Sequence, residues 1–75
     1  MWIHTTKEFG ELVRRKRKAL GLTQEEFSAR YRIPLGTLRD WEQGRSEPDQ
    51  PAKAYLQVIA TEPTVTAKAL QRSAA

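Results

Sequence analysis

The sequence predicts an all-α fold, a compact bundle of five short helices that forms a single domain over residues 1–75. Apolar residues recur three and four positions apart, which is the period of a helix, and no segment alternates as a strand does. Prolines and glycines divide the chain into short segments. The predicted helices span about residues 6–20, 24–31, 35–43, 51–61 and 64–72, with residues 73–75 frayed.

Length and composition exclude several classes of protein. A chain of 75 residues buries only about 60% of the surface of its unfolded form, so close helix packing or oligomerisation must stabilise it. It has no cysteine, and His4 alone cannot form a zinc site, so we expect no metal or cofactor. No group is placed for catalysis. No apolar run approaches a membrane span and no signal peptide is evident, which predicts a cytoplasmic protein.

Positive charge is concentrated in the first part of the chain. The net charge is +4; residues 1–45 contain ten Lys and Arg against six Asp and Glu, whereas residues 46–75 contain three of each. A basic excess of this size favours a polyanionic partner only weakly, because many small soluble proteins are basic. The partner must therefore be inferred from the motifs in residues 1–45.

Helix 1 is predicted from its capping residues and its apolar face. Thr5 and Glu8 have the spacing of a capping box, and Gly21 ends the helix. The apolar face consists of Phe9, Leu12, Val13 and Leu20. Arg17 lies on this face as well, four residues after Val13. A buried cation is costly unless a buried anion accompanies it, so another part of the chain must supply one.

Residues 23–44 predict two short helices joined by a tight turn. Thr23 and Glu26 form a second capping box at the start of helix 2, Pro34 cannot continue that helix, and Gly44 closes helix 3. The inward side chains are Phe27, Tyr31, Leu38 and Trp41. Two helices of about two turns, separated by a short break, have the dimensions of a helix-turn-helix.

Two further helices follow a loop that contains two prolines. Pro51 suits the first position of helix 4, with Asp49 or Gln50 as its cap, and Glu62-Pro63 ends it. The apolar face of helix 4 consists of Tyr55, Leu56, Ile59 and, more weakly, Val58. The side chains of helix 5 expected to face inward are Val65, Ala69 and Leu70. Helix 5, with Val65 and Leu70, is also the candidate dimer surface.

Helix 3 carries the candidate base-reading residues, because the second helix of a helix-turn-helix enters the major groove of DNA. These residues are Leu35, Gly36, Thr37, Arg39 and Asp40. Arg39 can bond to guanine, Asp40 can accept from cytosine, and Thr37 or Leu35 can contact thymine methyl groups. Gly36 costs ~1 kcal/mol relative to alanine in a helix, and its use would be a close approach of the backbone to DNA. Each can instead be an ordinary exposed residue, and Asp40 can buffer a neighbouring arginine.

Candidate phosphate contacts lie at the start of helix 2 and at the end of helix 3. Gln24 lies at the positive end of helix 2, and Arg45 lies just past helix 3. Thr23 and Gln43 complete this set. The basic run 14–18 spans more than a helical turn, so its side chains cannot all face one partner. Apart from Arg17, they are more simply a solvated face than direct DNA contacts.

These motifs together resemble the phage repressor and Cro family, also called Xre-like regulators. The motifs are Val13-Arg14-x-x-Arg17, Gly21-Leu22-Thr23-Gln24-x-Glu26-Phe27 and Leu38-x-x-Trp41-Glu42-x-Gly44. The resemblance implies a lambda-repressor-like DNA-binding domain in which Arg17 pairs with Glu42. It also marks Gln24 as a phosphate contact and positions 35, 36, 39 and 40 as base readers. Leu35 and Gly36 depart from the polar readers common in phage repressors.

The segments 37–45 and 47–59 are similar to HigA-like and MqsA-like type II antitoxins. This resemblance implies a bacterial homodimer that binds a palindromic operator, represses its own operon and neutralises a small RelE/HigB-type ribonuclease toxin. An orphan or phage-type Xre repressor without a toxin is one alternative. Another is a protein-interaction module that has lost DNA reading, which Leu35, Gly36 and the apolar Trp2 and Ile3 would favour. The side chains of Trp2 and Ile3 more simply pack against helix 1 or helix 5.

Overall fold

The computed structural model describes residues 6–73 and contains five helices, with no strand among these residues. The helices are α1 (Thr6–Ala19), α2 (Gln24–Tyr31), α3 (Leu35–Glu42), α4 (Gln50–Thr61) and α5 (Pro63–Ser73). They pack into a body with a radius of gyration of 12.1 Å. The predicted all-α bundle with a helix-turn-helix is confirmed. Four positions singled out from the sequence, Trp2, Ile3, His4 and Thr5, lie outside the described residues.

Side chains cap the starts of α2 and α4. Thr23 Oγ1 accepts a hydrogen bond of 3.0 Å from the backbone N–H of Glu26, and the backbone N–H of Thr23 donates to Glu26 Oε1 at 2.8 Å. Asp49 Oδ1 accepts from the backbone N–H of Ala52 at 3.0 Å, so Asp49 is the cap of α4. Pro51 is therefore the second residue of α4, after Gln50, and not the first.

One core holds α1 to α4 together. Its buried apolar residues are Val13, Leu22, Phe27, Tyr31, Ile33, Leu38, Trp41 and Ile59. The approach of α1 to α3 is close because Gly10 has no side chain: a Cβ there would lie 2.1 Å from the carbonyl oxygen of Trp41. This close approach of α1 fixes α3, the helix that carries the candidate base-reading residues.

Helix α2 ends in a left-handed residue that no sequence signal indicated. Arg32 has φ 55° and its backbone N–H donates to the carbonyl of Ser28. Glycine is the usual residue in this conformation, and it occurs at Gly21 and Gly44, both with φ 73°. At Arg32 the guanidinium also donates to the carbonyl oxygen of Leu70 at 2.7 Å, which ties the turn of the helix-turn-helix to α5.

The inward face of α5 differs from the prediction. Val65 is 62% exposed and Ala69 is also exposed, whereas Thr66 is buried and Leu70 packs partly against the core. The buried hydroxyl of Thr66 donates to the carbonyl of Glu62 at 2.6 Å, which removes the cost of burying it. The Tyr31 hydroxyl also donates to the carbonyl of Pro63 at 3.0 Å, so docking on α2 sets the orientation of α5.

None of the helices within residues 6–73 combines the length and the apolar character that a transmembrane segment needs.

Candidate nucleic-acid interface

Helix α3 presents one polar face to solvent while its other face is fixed in the core. Leu38 and Trp41 are buried, and the opposite side of the helix exposes Gly36 and Arg39, with the exposed Gln43 directly after its end. Leu35, Thr37 and Asp40 are half-buried at the borders of this face. The eight-residue helix can therefore contact a partner along its exposed side without losing core packing.

A buried ion pair joins α1 to the end of α3. Arg17 Nε lies 2.7 Å from Glu42 Oε2, and Arg17 Nη2 donates to Glu42 Oε1 at 2.9 Å. The two side chains are only 9% and 4% exposed. Arg17 Nη1 donates in addition to the carbonyl of Leu22 at 2.9 Å. The hydrogen bond to Glu42 raises the pKa of Arg17, so the guanidinium stays charged in spite of its burial.

The Gln24 amide connects this ion pair to the exposed face. Gln24 Nε2 donates to Glu42 Oε1 at 3.1 Å, while Gln24 Oε1 accepts from Arg39 Nε at 3.4 Å. Both ends of the amide are engaged, so its orientation is set by two opposite partners: an acceptor on one side and a donor on the other. Gln24 Nε2 has a second N–H, which can donate to a phosphate while both of these bonds remain.

Arg39 is held across the helix-turn-helix by a second contact. Its Nη2 lies 3.4 Å from Glu25 Oε2, and the two side chains are 47% and 67% exposed. The side chains of the buried pair, Gln24, Arg39 and Glu25 thus form a row that runs from the core to the surface. We name the row of Arg17, Glu42, Gln24, Arg39 and Glu25 the polar row.

The other end of α3 carries a looser pair. Arg45 Nη1 lies 4.0 Å from Asp40 Oδ1, and the Arg45 side chain is exposed. Asp40 therefore has the neighbouring arginine that a charge-buffering role requires. Its carboxylate can still accept further hydrogen bonds, as contact with cytosine would require. Gln43 follows α3 with its side chain in solvent.

The N-terminal end of α3 is open. Pro34 precedes the helix, and no side chain caps its first backbone N–H groups. A Cβ built on Gly36 would meet nothing beyond its own helical turn within 4 Å, so packing within the protein does not require glycine at this position. Bare backbone at an uncapped helix start is accessible to an approaching polar or anionic group.

Thr23 has less freedom to contact a phosphate than the other residues of its set. Its hydroxyl oxygen and its backbone N–H are both used in the capping box with Glu26. The hydrogen bonds from Thr23 lower the pKa of the Glu26 carboxyl. The hydroxyl hydrogen of Thr23 would have to leave the Glu26 carboxylate before it could bind a phosphate.

Glu25 is a residue of the candidate interface that the sequence did not indicate. Glu25 was not among the candidate residues, although it contacts Arg39 directly. The two residues are on different helices on either side of the turn, and no periodic spacing connects them. A carboxylate beside Gln24 in the first turn of α2 is the one available signal, but it has an ordinary explanation in the favourable interaction with the helix dipole.

Comparison with known proteins places this geometry in context. A family model described as helix-turn-helix matches residues 13–52, just over half of the chain. The chain is also similar to a crystal structure described as that of a helix-turn-helix XRE-family-like protein from Agrobacterium tumefaciens. The two are 74% identical with a TM-score of 0.76, and the match covers 77% of this chain and 94% of that chain. No curated protein matches the chain.

Proposed function

The chain belongs to the Xre-like family of helix-turn-helix DNA-binding regulators, and from this premise we propose that it is a sequence-specific transcriptional repressor. Helix α3 would enter the major groove and α2 would cross the phosphate backbone. The observation that supports this most directly is the division of α3 into a buried side, Leu38 and Trp41, and an exposed side with an open N-terminal end.

Base discrimination would come mainly from the middle of α3. Arg39 can donate to the O6 and N7 of guanine, and Asp40 can accept from the N4 of cytosine. Thr37 and Leu35 border the exposed face, where their methyl groups can meet thymine. Gly36 would let the backbone approach the base pairs, since nothing surrounds its Cα on that side.

Phosphate contacts would position the domain on the duplex. We assign Gln24 and Arg45 to this role, with smaller contributions from Thr23 and Gln43. Contacts of this kind carry little sequence information, and the affinity that they provide decreases as the salt concentration rises. They would therefore act equally on the operator and on unrelated DNA.

The complete repressor would be a homodimer in the bacterial cytoplasm. Two copies would place their α3 helices in successive major grooves, about 34 Å apart, on a palindromic operator. Of the two residues of α5 predicted at the dimer surface, Val65 projects into solvent, whereas Leu70 packs partly against the core. Val65 is the residue of that pair that remains accessible to a second copy.

We further propose that the repressor is the antitoxin of a type II toxin–antitoxin pair. The support is the similarity of segments 37–45 and 47–59 to HigA-like and MqsA-like antitoxins. The toxin would be a small RelE/HigB-type ribonuclease encoded beside this chain. Co-expression tests this directly: the toxic product of an adjacent reading frame should become harmless with this chain, and the two should co-purify. No neutralisation would leave an orphan or phage-type repressor.

Fluorescence anisotropy with the chain's own promoter tests the DNA-binding proposal. We expect the promoter duplex to bind more tightly than a random duplex of equal length at moderate salt. Arg39→Ala should cost about 1–3 kcal/mol on the promoter and relax the preference at one base pair. Arg72→Ala, an exposed change on α5, serves as the matched control and should have no effect.

One outcome would overturn this proposal, and another would change the role of Arg39. Equal binding of promoter and random duplex by the wild-type protein would remove the sequence-specific function. If the protein then still captured the adjacent toxin, the chain would be a protein-interaction module. The absence of polar side chains at Leu35 and Gly36 would suit that role. An equal loss on all duplexes in Arg39→Ala would make Arg39 a phosphate contact.

A further inference from the structure

We propose that Glu25 is a positioning residue that determines DNA specificity by orienting Arg39 for guanine. This inference depends on the proposed DNA-binding function and adds to it a residue outside the base-reading face. Glu25 lies in the first turn of α2, not on α3, and contacts Arg39 across the helix-turn-helix at 3.4 Å.

The hydrogen bonds of Arg39 define which of its donors are left for DNA. A guanidinium has five N–H donors. One donor on Nε points to Gln24 Oε1, and one on Nη2 points to Glu25 Oε2. The three remaining donors are the two N–H groups of Nη1 and the second N–H of Nη2, at the outer end of the guanidinium. Guanine presents two acceptors, O6 and N7, which suit a bidentate contact with this end of an arginine.

The orientation of Arg39 is set from both sides. On the inner side, Gln24 Oε1 faces Arg39 because Gln24 Nε2 is committed to Glu42, which the buried Arg17 fixes in turn. On the outer side, the Glu25 carboxylate is the one charged partner that the described part of the chain gives Arg39. Without Glu25, only the neutral amide would restrain a side chain that is half exposed.

Stability alone does not explain why this contact exists. Exposed ion pairs such as Arg39 and Glu25 contribute little to folding, since solvent screens them. A carboxylate on the surface that meets DNA is in addition unfavourable near phosphates. Glu25 should therefore weaken binding to every duplex while it strengthens the preference for guanine. These two effects have opposite signs, and a residue that only stabilised the start of α2 would not change the preference for guanine.

Glu25→Gln separates the two effects, because glutamine has nearly the same shape and no charge. Selection from a randomised duplex pool should give wild-type protein a strong guanine at one position of each half-site. In Glu25→Gln, we expect the guanine preference to fall by at least about threefold, which is part of the base discrimination that one bidentate contact provides. The preferences at the other base pairs should be unchanged. Binding to random duplex should become tighter. Circular dichroism should show the wild-type helix content and melting temperature within a few degrees.

Three controls make the result specific. Glu62→Gln removes the same charge at an exposed position next to Pro63, which contacts Tyr31 at the C-terminal end of α2. It should change neither the guanine preference nor the binding to random duplex. Glu25→Asp keeps the charge and should restore part of the guanine preference. In an Arg39→Ala background, Glu25→Gln should no longer affect base preference but should still tighten random binding.

The inference and the proposed function fail in different ways. If wild-type protein enriches no sequence, the DNA-binding function fails. If wild-type protein enriches a sequence and Glu25→Gln keeps the same guanine preference, the role of Glu25 is wrong while the function stands. A uniform loss of affinity at every position, with a lower melting temperature, would assign Glu25 to the stability of α2 and also overturn the inference.

Discussion

At the scale of single residues, the burial of Arg17 and Glu42 has the largest consequence for folding. Arg17→Met would leave the Glu42 carboxylate with Gln24 as its remaining partner and the Leu22 carbonyl without its donor. We expect the free energy of unfolding to fall by about 3–5 kcal/mol, because an unpaired buried charge is strongly unfavourable. Urea unfolding monitored by tryptophan fluorescence measures this loss.

Two variants accompany that measurement. Arg17→Lys keeps the charge but cannot reproduce both bonds to Glu42, so its loss should be intermediate. Arg14→Met, at an exposed position on the same helix, should change stability by less than about 0.5 kcal/mol. A loss for Arg17→Met no larger than that of Arg14→Met would mean that the pair is solvated in solution.

At the scale of helices, two glycines predict opposite effects of the same substitution. Gly10→Ala places a methyl group against the carbonyl of Trp41, so α1 and α3 must separate and stability should fall by about 1–3 kcal/mol. Gly36→Ala meets no atom within 4 Å, so the better helix propensity of alanine should raise stability by up to about 1 kcal/mol. Thermal unfolding of the two variants compares them directly, and changes of the same sign would contradict the packing described for α1 and α3.

The packing of helices also explains where prediction from sequence succeeded. Capping residues and helix breakers act locally, so Thr23, Pro34 and Gly44 mark the ends of α2 and α3 in the sequence itself. The side chains of α3 follow the helical period, and the predicted inward pair Leu38 and Trp41 is buried.

Prediction failed where tertiary contacts decide the outcome. The apolar pattern of α5 is weak, so the placement of Val65 inward was wrong, and docking of the helix start on Tyr31 decides which face is buried. The left-handed Arg32 has no glycine to signal it. In the candidate interface, the outward positions of α3 followed from periodicity, whereas the contact of Glu25 with Arg39 depends on how α2 and α3 meet.

At the scale of the whole molecule, the charge distribution predicts how salt affects DNA binding. The +4 excess lies in residues 1–45, yet Arg39 and Arg45 each have a carboxylate nearby, Glu25 and Asp40. If Arg45 exchanges Asp40 for a phosphate, Arg45→Gln should weaken binding to operator and random duplex alike. It should also reduce the slope of log affinity against log salt by about 1 per bound chain.

Anisotropy titrations over a series of salt concentrations provide that slope. Lys68→Gln, an exposed change on α5, is the control and should leave the slope unchanged. An unchanged slope in Arg45→Gln would show that Asp40 keeps its arginine in the complex, and the phosphate assignment of Arg45 would then be wrong.

The empty surroundings of Gly36 have a consequence for how this domain can acquire new targets. Leu38 and Trp41 anchor α3 in the core, while a Cβ at position 36 would meet nothing beyond its own helical turn within 4 Å. In the proposed complex, a longer polar side chain introduced there would add a contact to DNA without repacking the protein behind it. If α3 reads the operator as proposed, we expect operator choice to diversify at position 36 by single substitutions that folding tolerates. A selection for altered operators should then find its first solutions there.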